Sequence, residues 1–200
     1  MSFSRSKAVL TSSTSPRKLN QRVRVDILIP MDEVIVVNED GIVIGTMPKD
    51  QAHRDGTLHR ISVIYVENTK GDILVQRRDD LLDHSSAGHV YVGESYEQAS
   101  YRELKEELGI QDVVLQHVGH GMTKDEAYPN GTRCSHIFDV FSCVAEPKEL
   151  QADEVSGVYW AQPEEVLADM KIHADKYCGG FLVSLPIYLE SKKSRDPSVI

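Results

Sequence analysis

GHVYVGESYEQASYRELKEELGI, residues 88–110, is the stretch that decides how this chain is read. A loop bounded by Gly88 and Gly93 gives way at Ser95 to a run with helical character. Ser95 followed three residues later by Gln98 is a capping-box pair, and Gly109 stands where a left-handed C-cap would end the helix. The spacing predicts a helix over residues 96–108. At about 100° per residue, Glu107 lies about 40° and Glu106 about 60° from Glu103 around the axis, whereas Leu104, Leu108 and Tyr101 lie at about 100° to 160°. One face is then a carboxylate cluster and another belongs to the core. Three like charges so close destabilise an isolated helix by roughly a few tenths of a kcal/mol per pair, and Arg102 relieves only part of this through its i,i+4 partner Glu106. A hard divalent cation such as Mg²⁺, which favours oxygen ligands, would relieve the rest.

Outward from this helix the chain reads as strands. Before it, HRISVIYVE (59–67) and GDILVQRR (71–78) are joined by Asn68-Thr69-Lys70-Gly71, and EVIVVNEDGIVIG (33–45) folds back at Asn38-Glu39-Asp40-Gly41 in a hairpin pattern. RVRVDILIP (22–30) alternates Val23, Val25, Ile27 and Ile29 as a further strand candidate. After the helix, DVVLQHVGHGM (112–122), SHIFDVFSCVA (135–145) and VSGVYWAQ (155–162) are strand-like. Two helical candidates close the chain. One surrounds PEEVLADMK (163–171), with Pro163 placed for a first turn, and the other surrounds GFLVSLPIYLESKK (180–193), which Pro186 is expected to kink or interrupt. Such an order belongs to a mixed α/β domain rather than a regular βαβ alternation.

At 200 residues the chain has enough length for one substantial core, and a single domain is expected over 23–195 with a short tail at 196–200. Residues 1–22 are Ser/Thr-rich and basic with little to bury, the composition of a flexible leader, and they loosely resemble an organellar transit segment. No apolar run approaches the roughly 18 to 20 residues that would span a bilayer, so no membrane partner is expected. Cys134, Cys143 and Cys178 are odd in number and lack CxxC spacing, which fits a reducing, cytoplasmic compartment better than a disulfide framework. Within the first 30 residues Arg5, Lys7, Arg17, Lys18, Arg22 and Arg24 face only Asp26, so the rest of the chain is more acidic than the overall charge of −9. A body of that sign repels nucleic-acid polymers.

Gly88, five residues, Glu94, seven residues, then Arg102-Glu103-Leu104-Lys105-Glu106-Glu107-Leu108-Gly109-Ile110 matches GX5EX7REUXEEXGU at all nine specified positions, U being aliphatic. With average residue usage, chance agreement is on the order of 10⁻¹⁰ per starting position. That pattern is the Nudix box, and the chain resembles the Nudix hydrolases. The resemblance implies an α/β fold, an α/β/α sandwich around a mixed β-sheet, and cleavage of a nucleoside diphosphate linked to another moiety. It implies Mg²⁺ or Mn²⁺ held by Glu103 and Glu107, with Glu106 as a further ligand or as the base for the attacking water. Arg102 becomes an orienter of the carboxylates, Glu94 a support or outer ligand, and Gly88 the residue of a loop turn. The partner is a small-molecule diphosphate, and dimerisation is common in the family.

A finer likeness runs over roughly residues 33–165. KDQAHRDGTLHRISVIYVENTKGDILVQRR (49–78) with SAGHVYVGES (86–95) is similar to the isopentenyl diphosphate isomerase branch of the superfamily. It implies that His53, His59 and His89 bind a second metal and that Lys49 and Arg78 hold the substrate diphosphate. It also implies an alternative activity, double-bond migration by protonation and deprotonation. Against that activity, the isomerase cysteine before Gly-His is Ala87 here, and a methyl cannot transfer a proton. The downstream strand carries two glutamates in isomerases where this chain reads Cys134-Ser135-His136, and a phosphate-binding lysine is replaced near Leu82. A non-catalytic, nucleotide-sensing Nudix module is a third possibility, although such modules are expected to lose box carboxylates that this chain keeps. Cys134 and His136 are expected on opposite faces of an extended strand. Asp153 and Glu154 are candidates for an extra carboxylate, residues 125–134 for a substrate loop, and Trp160 for the core.

Overall fold

In the computed structural model, residues 32–78, 80–127, 132–151 and 155–195 are described. The leader, the alternating run at 23–29, the tail, Asp153 and Glu154 lie outside them, as does the middle of the 125–134 loop. Strands β1 (Glu33–Val37) and β2 (Val43–Pro48) form the expected hairpin. At its turn the Asn38 side chain accepts from the amides of Asp40 and Ile42, and Gly41 takes φ 75°. A seven-residue helix that the sequence reading did not anticipate, α1 (Lys49–Asp55), follows directly. It lacks a side-chain cap, since Pro48 occupies the N-cap position, and it ends at a left-handed Gly56.

The centre of the sheet is β3 (His59–Glu67). It runs parallel to β8 (Arg133–Val144) over nine registered pairs, from His59 opposite His136 to Glu67 opposite Val144, and antiparallel to the short β6 (Ser86–His89). β8 pairs antiparallel with β7 (Gln116–Ala127). β4 (Ile73–Arg78) pairs with β5 (Leu81–Asp83) and with β9 (Gly157–Ala161), both antiparallel. One parallel pairing among antiparallel ones makes the sheet mixed.

Strand alternation sends β3 side chains to two cores. Ile61, Val63 and Tyr65 pack with Phe138 and Val140 beneath α3 (Pro163–Ile172) and α4 (Gly179–Arg195), joining Val166, Met170, Phe181, Leu185 and Tyr188. Ile64 and Val66 point the other way, with Phe141 and Cys143, onto Leu104 and Leu108 of α2 (Tyr96–Leu108). The result is an α/β/α sandwich. Trp160 packs at the edge of the second core.

Two local expectations need correction. Tyr101, placed by helical angle toward the core, is exposed; the buried face of α2 is carried by Ala99, Ser100, Glu103, Leu104, Glu107 and Leu108. Pro186 does not interrupt α4, which is one continuous helix through it. The proline sits on the exposed side, while Phe181, Leu185, Tyr188 and Leu189 hold the opposite face against the sheet, and that packing outweighs one missing amide. Gly119 lets α4 approach β7, because a Cβ there would lie 2.6 Å from Ile187.

Candidate active site

The helix α2 begins with the anticipated capping box: the Ser95 hydroxyl accepts from the Gln98 amide at 3.1 Å, and the Gln98 side chain accepts from the Ser95 amide at 2.8 Å. It ends at Gly109 with φ 63°, whose amide returns to carbonyls of the last turn. These two caps set the ends of the helix, while Ala99, Leu104 and Leu108 packed in the cores set the rotation that places the glutamates. Glu107 is fully buried, Glu103 is 7% exposed, and Glu106 is open to solvent.

Arg102 organises this face. Its Nε and Nη2 donate to the two Glu94 oxygens at 2.8 and 3.0 Å, Nη1 donates to Glu103 at 2.5 Å and to Glu106 at 3.2 Å, and Nη2 also reaches the His89 carbonyl at 2.8 Å. Glu94 accepts in addition from the Tyr91 amide at 3.1 Å. Burial opposes the arginine charge, but Glu94 and Glu103 outweigh it and hold its pKa above the ordinary value. The Tyr91 ring covers the guanidinium at 4.7 Å.

Gly88 has a different role from the loop turn expected of it. It lies within β6, paired opposite Ser62, and a Cβ built there would fall on the Glu103 carboxylate. The glycine is there for close approach, not for an unusual φ. Glu107 is met by Arg78 from β4, whose guanidinium forms an ion pair with it, and by the Gln76 side chain at 3.5 Å. Burial raises the Glu107 pKa to about 7, with Arg78 pulling the other way.

A cleft of about 380 Å³ is lined by Lys49, Arg78, Gly88, His89, Arg102, Glu103, Glu106 and Glu107, so the chain's two diphosphate candidates and three of its four box carboxylates share one opening. Tyr91 lines it as well, a residue that sequence reasoning passed over. A second cavity of about 250 Å³ adjoins through Arg78, Ala87, Gly88 and His89 and reaches Asp83, Cys134, His136 and Cys178. Cys134 and His136 therefore share a face, contrary to expectation, because residues two apart on a strand point the same way. Burial raises the Cys134 thiol to about 11, which leaves it a poor nucleophile.

His53, His59 and His89 come together from α1, β3 and β6, and His136 from β8 joins them. The Nε2 atoms of His53 and His89 are 2.9 Å apart, and His59 donates from Nδ1 to the Thr57 carbonyl at 2.7 Å. Burial, reinforced by neighbouring cations and imidazoles, lowers the pKa of all four, that of His59 to about 4.

The NUDIX domain family model matches residues 57–178. The chain belongs to the Nudix family. It is 33% identical over 171 residues to the uncharacterised Nudix hydrolase YfcD of Shigella flexneri, covering 82% of this chain and 89% of that one. To the uncharacterised Nudix hydrolase PA4841 of Pseudomonas aeruginosa it is 32% identical, covering 78% and 92%. An isopentenyl-diphosphate Delta-isomerase of Pectobacterium atrosepticum is also similar, at 25% identity over 84% of this chain and 98% of its own. Among solved structures, DR0079 from Deinococcus radiodurans superposes with a TM-score of 0.60 at 26% identity, covering 82% of this chain and 99% of that one. The protein is a hydrolase of this family, whose members act on small molecules and generally use divalent metal ions. Among the described residues no helix is long and apolar enough to cross a membrane.

Proposed function

We propose that the protein hydrolyses the diphosphate linkage of a small nucleoside diphosphate-type molecule, with Mg²⁺ or Mn²⁺ held by Glu103 and Glu107 and with Glu106 as a further ligand or general base. One observation carries this reading: the three carboxylates open into the same cleft as Lys49 and Arg78. The donor set suits a hard ion, being all oxygen, and Glu107 lies buried with its carboxylate turned to the Arg78 guanidinium. A divalent ion bound there would neutralise the diphosphate and supply a more acidic water as nucleophile.

The chain's own residues account for the rest. Lys49 and Arg78 bind and orient the phosphates across the cleft, which limits the motion of the scissile bond. In this reading Glu106, the most open of the three, either adds a further oxygen ligand or takes a proton from the attacking water. Arg102 holds Glu103 and Glu106 in register with one another, and the Glu94 carboxylate fixes Arg102. For the isomerase alternative, a proton donor is needed where Ala87 faces both cavities. Restoring cysteine there supplies one group but not the missing downstream glutamates, so Ala87→Cys is expected to show no isomerisation of isopentenyl diphosphate. Release of phosphate-containing products from a panel of diphosphates, with and without EDTA, tests the hydrolase reading.

A further inference from the structure

Four elements each contribute one imidazole to a single point: His53 from α1, His59 at the start of β3, His89 at the end of β6 and His136 from β8. Their candidate ligand atoms lie within 4.8 Å of one another. The Nε2 atoms of His59 and His136 are buried without a hydrogen-bond partner, and His59 itself has no exposed surface. Because its Nδ1 proton is committed to the Thr57 carbonyl, the His59 Nε2 carries a lone pair facing the other rings. A carbonyl behind the distal nitrogen is the usual support of a metal-binding histidine. His53 and His89 can share a hydrogen bond through one ring proton, whereas the Nε2 atoms of His59 and His136 have no such partner, and a cation among the four rings would satisfy both.

We propose that His53, His59, His89 and His136 form a closed, all-imidazole site for a borderline divalent ion of the Zn²⁺ class, distinct from the hard-ion carboxylates of the box. The isomerase likeness accounts for three of these rings but sets carboxylates, not a histidine, opposite them. His136 is the departure, and it changes the chemistry: four nitrogen donors and no carboxylate select Zn²⁺ over Mg²⁺. Tetrahedral coordination at the usual zinc–nitrogen length separates neighbouring nitrogens by about 3.3 Å, so the 2.9 Å between His53 and His89 needs to open by a few tenths, and the wider pairs, all within 4.8 Å, need to close by at most about 1.5 Å. Four protein ligands leave no open position, which makes the site structural rather than catalytic.

Its effect on the hydrolase passes through His89. The ring of His89 belongs to the cluster, its carbonyl accepts from Arg102, and its neighbour Gly88 packs on Glu103. An ion on the four rings therefore positions the strand against which the box carboxylates are set. The inference deepens the hydrolase reading, but metal content can be measured without turnover.

The test is metal content and spectroscopy on the full chain, equilibrated with Zn²⁺ or Co²⁺ and then dialysed. Wild type is expected to retain about one equivalent, to show the intense visible bands of four-coordinate cobalt, and to unfold at a higher temperature when loaded. The double variant Glu103→Gln/Glu107→Gln is expected to retain the same ion, and His136→Ala to lose it. His136→Glu keeps a ligand while restoring a carboxylate, so it is expected to shift preference toward Mn²⁺. Weak six-coordinate cobalt bands in wild type, or an ion lost with the two glutamates and kept without His136, would overturn the proposal. Absence of diphosphate cleavage with the ion retained would remove the hydrolase reading and leave this site standing.

Discussion

Arg102 reaches Glu94, Glu103, Glu106 and the His89 carbonyl with one planar fork, a task that a single ammonium cannot perform. Arg102→Lys preserves the charge, so an effect on activity reports geometry. A fall of about 10- to 100-fold in kcat/KM is expected, with a matching loss in Mn²⁺ affinity by titration. Gly88→Ala addresses the same carboxylates from the opposite side. Its methyl would displace Glu103, and activity is expected to fall about a hundredfold while circular dichroism shows the fold retained. The identities of these residues were legible from box spacing alone, but Gly88's reason for being glycine was not. Nothing local announces that a side chain 15 positions later will lie on it. His136 was hidden for the same reason, since it meets His59 only through a parallel strand pairing between distant segments.

The element read most completely was α2, whose bounds follow from Ser95, Gln98 and Gly109. Each end carries its own chemical signal. The helix α1 has no such signal, being seven residues long and preceded by Pro48 in place of a capping side chain, and β5 and β6 are too short for alternation to register. Yet α1 delivers Lys49 and His53, so the part of the site it builds could not be assembled from pattern. In α4 the reverse holds: the proline is a clear local signal, and tertiary packing overrides it. Since Pro186 lies on the exposed side of an unbroken helix, Pro186→Ala restores an amide donor without disturbing the core. A gain of about 1 to 3 kcal/mol is expected, measured as a higher urea midpoint, with the stiffer unfolded chain of the proline form offsetting part of the propensity difference.

Across the whole molecule, β3 carries a core on each face, and the cleft gathers residues of α1, β4, β6 and α2. The wall beneath the second cavity is a buried polar chain. Asp83 pairs with His84 Nδ1 at 2.7 Å and accepts from the Cys178 thiol at 2.8 Å, while His84 Nε2 meets Ser184 at 2.8 Å and Ser184 meets Tyr65 at 2.7 Å. Burial would raise the Asp83 pKa, but His84, Cys178 and Arg78 outweigh it and hold it below the ordinary carboxylate range. A folded value below the unfolded one means that this contribution to stability is present above about pH 4 and is lost as pH falls through the folded value. Asp83→Asn is expected to cost about 1 to 3 kcal/mol at neutral pH and to flatten the acid limb of the stability curve, as followed by urea denaturation between about pH 2 and pH 5. The sandwich was legible from the sequence because hydrophobic period encodes it. This network was not, because its members are ordinary polar residues brought together by α4.

The most direct measurement is product release from a panel of diphosphates by wild type and Glu107→Gln, with Mg²⁺, with Mn²⁺ and with EDTA. The substitution keeps side-chain volume and removes the buried ligand charge. Metal-dependent cleavage by wild type, abolished by EDTA and reduced about a hundredfold or more in the variant with the fold unchanged, is the expected result. Full activity in Glu107→Gln would place the chemistry elsewhere than the box.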